Sequence, residues 1–174
     1  FIIGMPTGLK QSSSTVSIGF SVTETAANTF TQVSVDLNLS PLDREVFVVQ
    51  GIDMDLTPPD MIGSTNTNVA AALTTTSQTA MVRLSNANCL SSALDSIRAD
   101  PGGAGFVAFS RNSSDVIPAD LDYIGIIATN DFFVSVEGAN NTGAKGCSGK
   151  LYGYRAIANA DIYAALVQSE VLSA

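Results

Sequence analysis

The sequence predicts an all-β protein, an antiparallel two-sheet sandwich, on three observations. Two segments of the first half alternate strictly between apolar and polar residues. A long β-branched run follows and stops at a Pro-Pro turn. Turn clusters then divide the second half into short Phe- and Val-rich segments.

In residues 15–23 every even position is apolar (Val16, Ile18, Phe20, Val22) and every odd one is small or polar, the mark of a half-buried strand. The same period returns in residues 31–39 through Val33, Val35, Leu37 and Leu39. Residues 24–30 are short enough to close an antiparallel hairpin, so these two strands are expected to pair. Residues 45–56 are rich in β-branched side chains and are stopped by Thr57-Pro58-Pro59-Asp60. Their even positions are apolar almost throughout, while the odd ones pass from Phe47 and Val49 to Asp53 and Asp55. One end of this strand is therefore expected to be covered on both faces and the other to be wet.

Residues 63–80 carry no charge, and a weak alternation at Val69, Ala71 and Leu73 predicts a short strand between loops. Leu90, Leu94 and Ile97 fall at helical spacing before the break at Asp100-Pro101-Gly102-Gly103, which predicts a short helix over 88–98. Strands resume at 106–109, at 123–128 after a loop containing Pro118, and at 132–137. A loop over 138–149 leads into a closing strand at 150–157. Asn159 is placed to cap a C-terminal helix over 159–172, with Ile162, Tyr163, Leu166 and Val167 on one apolar face.

Seven to nine strands and two short helices in 174 residues, 45% of them hydrophobic, describe one sandwich domain spanning residues 1–174. Long loops relative to strand length favour a jelly roll over an immunoglobulin-type sandwich. Residues 1–13 read as an extended N-terminal arm. No repeat of solenoid or propeller length is visible.

The formal charge is −8, from 16 acidic and 8 basic residues. Lys10, Arg44, Arg83, Arg98, Arg111, Lys145, Lys150 and Arg155 come one at a time, with no basic arm, so direct nucleic-acid binding is disfavoured. No stretch approaches the roughly 18–20 uninterrupted apolar residues of a membrane span, and Phe1-Ile2-Ile3-Gly4-Met5-Pro6 is too short for a signal sequence.

The chain contains no histidine, which removes the commonest general base, the usual triad partner and the commonest zinc ligand. The serines have no evident activator, and Lys10, Lys145 and Lys150 lie near Gly- or Ser-rich loops where a solvated lysine is expected. No catalytic or cofactor-binding residue is nominated, and the chain is not expected to be an enzyme. Asp53 and Asp55 share a strand face, with Asp60 beyond the Pro-Pro turn, and three carboxylates could supply oxygen ligands to calcium; the competing reading is a solvated strand end. Cys89 and Cys147 allow one disulfide or stand as two free thiols, and neither has the C-x-x-C spacing of a redox or zinc motif. There is no Trp, and most of the 8 Phe and 4 Tyr fall in strand patterns that read as core.

The order of hairpins, a strand ending in an acidic Pro-rich loop, a helix-bearing excursion, then Phe/Val strands and a closing strand resembles the single jelly-roll coat proteins of icosahedral viruses. The resemblance is architectural and covers most of the chain. It implies a capsid subunit, located in the virion, that contacts copies of itself through strand edges and loops. A charged content of 14% and the small uncharged side chains of 63–80 suit such contacts. The missing basic arm departs from simple RNA-virus coats and points to a shell lined by a membrane or by other virion proteins. Two other classes fit the composition, a secreted filament or surface-layer subunit and a soluble adhesion module. Closed shells, fibres or saturable glycan binding by the monomer distinguish the three.

Overall fold

A computed structural model describes residues 7–112 and 122–173. In the first sheet, β1 (Leu9–Gln11) and β2 (Val16–Thr23) lie end to end along one edge of β10 (Gly146–Ala158), followed by β4 (Glu45–Leu56) and β8 (Gly125–Ile127). The second sheet has the order β3 (Thr31–Asp36), β9 (Asp131–Ala139), β5 (Thr67–Thr74), β6 (Cys89–Ala99), β7 (Phe106–Asn112). All neighbours are antiparallel.

With β1 and β7 set aside, the pairs are nested. The first remaining strand pairs with the last (β2–β10), then β3 with β9, β4 with β8, and β5 with β6. A long antiparallel ribbon rolled up in this way is a jelly roll. Inward residues of both sheets fill the space between them, including Phe47, Ile52 and Leu151 from the first and Val69, Leu73 and Val134 from the second. Phe20 meets Phe132 edge to face across the core at 6.1 Å.

The alternation in residues 15–23 and 31–39 is realised, but the expected hairpin is not. β2 and β3 belong to different sheets because residues 24–30 form a corner fixed from below. Glu24 is buried there, and its carboxylate accepts hydrogen bonds from the backbone N–H groups of Thr29, Gly138 and Lys145.

The helix expected over 88–98 is strand β6. Hydrogen-bonded partners on both sides override the helical spacing of Leu90, Leu94 and Ile97, and the buried positions Cys89, Ser91 and Ala93 are too small to show the alternation.

In β4 a bulge at Gln50 reverses the parity, since Gly51 faces Tyr152 and Val49 faces Gly153. Val46 and Val48 therefore point away from the sandwich core while Ile52 and Met54 point into it. The outward pair is covered by the helix α1 (Ala160–Leu172). Its Ile162, Tyr163, Leu166 and Val167 pack on a second cluster with Tyr154, Ala156 and Ala158, and the Asn159 side chain caps it by accepting from the Ile162 N–H. That arrangement is the double coverage expected at one end of residues 45–56.

Candidate self-association surface

The first sheet is four strands across, because β1 and β2 share one edge, whereas the second is five across. β2 lies over β3 and β9, and β4 over β5 and β6, with β7 at the far edge of the wider sheet. All seven of its residues are exposed. Among the described residues only β6 pairs with it, which leaves the other row of its main-chain N–H and C=O groups open.

The side chains of β7 do not protect this edge. Phe109 and Val107 are 56% and 57% exposed, and Phe106, on the opposite face, is 38% exposed. Natural sheets commonly guard an open edge with lysine, proline or a bulge, and Phe106-Val107-Ala108-Phe109 has none of these. Phe106 and Phe109 are exceptions to the expectation that most of the Phe and Tyr residues are core.

Three arginines gather beside this strand. Arg98 and Arg111 flank Phe109 in one surface depression, and Arg111 shares the adjoining one with Arg83 and Leu84. No ion pair or side-chain hydrogen bond engages any of the three among the described residues. Two other basic residues are engaged in structural contacts. Arg155 donates to the Leu37 carbonyl and lies over Phe47, and Lys145 binds Asp60.

The proposed calcium ligands do not converge. Asp53 and Asp55 are exposed on the outward face of β4, and the Asp60 carboxylate is taken up by Lys145 at 2.7 Å and by the Thr142 N–H and hydroxyl at 2.8 Å each. Among the described residues no group of three metal-ligating side chains forms. The hydrogen bond from Lys145, then those from Thr142, hold Asp60 far below the usual carboxylate range. Lys145, expected as a solvated lysine, is instead buried.

Asp60, Lys145, Glu24 and Asn141 form one polar cluster that ties the β2–β3, β4–β5 and β9–β10 connections together at one end of the sandwich. The Asn141 side chain accepts from the Asp60 N–H and donates to the Asn68 carbonyl. Asn28 exchanges two further bonds with the Asn141 backbone.

Cys89 and Cys147 are two buried free thiols. Burial pushes Cys147 up to about 12 and Cys89 upward, so neither is a ready nucleophile. Glu170 is the buried residue of α1. It accepts from the Ala128 N–H at 2.6 Å and the Thr129 hydroxyl at 2.8 Å, yet its pKa is raised, because desolvation outweighs those bonds.

Sequence reasoning placed a strand at 106–109 but missed its exposure, because Val107 and Phe109 stand on the outward face of an edge strand, which only the sheet order shows. It also read the arginines as scattered, because Arg83, Arg98 and Arg111 come together only through the β6–β7 hairpin and the loop before it. Among the described residues no helix is long and apolar enough to cross a membrane. The loop containing Pro118 and the opening residues 1–6 lie outside the described residues.

No protein-family model matches the chain, and no curated protein does. Among solved structures, a chain described as Desmodium yellow mottle tymovirus overlaps 90% of this chain and 95% of its own length, at 11% identity and a TM-score of 0.30. An overlap that loose carries no argument about function.

Proposed function

We propose that this chain is a structural subunit that assembles with copies of itself into the icosahedral shell of a virion. The jelly roll is an architecture that capsid subunits use. The observation that carries the reading is β7, a seven-residue edge strand exposed on both faces, with Phe106, Val107 and Phe109 in water and a main-chain edge unpaired among the described residues. An apolar edge of this kind is a template for association, and burying it in a contact between subunits removes both the wet aromatics and the unpaired backbone.

Assembly does not need nucleic acid in this reading. The sequence has a net charge of −8, with its basic residues dispersed, so its partners are other copies, together with other virion proteins or an internal membrane. The role is structural and not enzymatic.

Electron micrographs of the purified chain test the proposal. Closed shells that survive nuclease treatment support it, and fibres would move the chain to the filament class. Particles that dissolve under nuclease would overturn the independence from nucleic acid.

A further inference from the structure

We infer that the two edges of the five-stranded sheet that are unpaired among the described residues are each other's partners, with the β7 edge of one copy docking head to tail against the β3 edge of the next. The inference rests on the self-association reading above and specifies its contact.

The argument is the distribution of charge across the outer face of that sheet. On the β6–β7 side, Arg98 and Arg111 stand on this face, with Arg83 beside them. On the β3–β9 side the same face carries Asp36 and Asp131, directly opposite one another in the register, and Glu137. Between the two groups lie Ala70 and Ala72 of β5. One row across the sheet reads Glu137, Ala70, Leu94, Arg111, acid at one side and base at the other. Asp36, whose carboxylate accepts from the Asn38 N–H, and Asp131 stand opposite one another on neighbouring strands, two carboxylates that a cation from outside can neutralise.

A second copy supplies that cation with its β7 arginines and takes the exposed Phe109 at the same time. Arginine and aromatic side chains are the types enriched at protein contacts. A two-fold contact of β7 with β7 would instead put both sets of arginines on one merged face, where they repel. A head-to-tail contact repeats and closes into a ring when the rotation allows. The register places Thr31 in the row of Asn112, so β7 and β3 meet only if neighbouring copies are staggered along the strands.

Charge reversal at each edge provides the test, read by sedimentation velocity on the full chain under conditions where the wild type assembles. Arg98→Glu/Arg111→Glu and Asp36→Arg/Asp131→Arg are each expected to remain monomeric alone. An equimolar mixture is expected to assemble, because every contact in it then joins opposite charges. Circular dichroism and melting establish that each variant is folded. If a reversal unfolds the chain, Arg98→Ala/Arg111→Ala and Asp36→Asn/Asp131→Asn replace it, and each is expected to raise the assembly concentration by about tenfold or more. Wild-type assembly by the β3-edge variant, or a mixture that stays monomeric, would overturn the edge pairing while leaving self-association intact. Nucleic-acid binding by the wild type that is lost in the arginine variant, with assembly unchanged, would also overturn it. A wild type that never assembles would sink the functional reading itself.

Discussion

The ammonium of Lys145 lies 2.7 Å from the Asp60 carboxylate and joins the β9–β10 connection to the β4–β5 connection at one end of the sandwich. The pair is as much a clamp on loops as an ion pair, because the other Asp60 oxygen accepts from both the N–H and the hydroxyl of Thr142. Its folded pKa is depressed, so its contribution is present above the ordinary aspartate pKa and is lost as pH falls toward the depressed value. Melting temperature is therefore expected to fall on acidification below the ordinary carboxylate range, and Asp60→Asn is expected to flatten part of that fall. An unchanged pH profile in the variant would show that the clamp adds nothing.

Glu24 is expected to be worth more than any exposed carboxylate, since its side chain satisfies three backbone N–H groups where the chain changes sheets. Glu24→Ala leaves the N–H groups of Gly138 and Lys145 buried without partners and should cost about 3 kcal/mol or more. Glu24→Gln keeps one oxygen as acceptor and should lose less. Denaturant titration of the two variants measures the difference.

Gly149 lies where β10 crosses β4, and a Cβ there would fall on the Asp53 carbonyl, inside van der Waals contact. Gly149→Ala is expected to cost about 1–3 kcal/mol, as overpacking does. Gly143, whose Cβ would meet nothing within 4 Å, serves as the control, and Gly143→Ala should melt close to the wild type.

Glu170 gives the opposite pH dependence to Asp60. Its folded pKa is raised by burial, so the stability it contributes is full below the ordinary glutamate pKa and is lost as pH rises through the folded value. Glu170→Gln is expected to lose less stability than the wild type between acidic and mildly alkaline pH, followed by thermal melting. A steeper loss in the variant would contradict the assignment.

What could be read in the sequence was what local pattern controls. Residues 45–56 became β4 with those same bounds, and the apolar face of Ile162, Tyr163, Leu166 and Val167 covers the first sheet. What could not be read was set by partners distant in sequence. β6 hides its strand character because its buried positions are Cys89, Ser91, Ala93 and Ser96, and the β2–β3 corner depends on a Glu24 two of whose three partners lie more than a hundred residues away. The candidate surface belongs to the same class. Nothing local to Phe109 says that its strand lies at the edge of its sheet and turns this side chain outward.

The central claim, that this chain works by associating with itself through the β7 edge, is tested most directly by sedimentation velocity of the wild type beside Phe109→Asp over a wide concentration range. Because Phe109 is exposed in the subunit, the variant should keep the wild-type circular dichroism and melting temperature. The account predicts that the wild type grows from the 18.0 kDa monomer into large particles and that the variant stays monomeric. A wild type that remains monomeric at every concentration, or a Phe109→Asp chain that assembles as the wild type does, would contradict it.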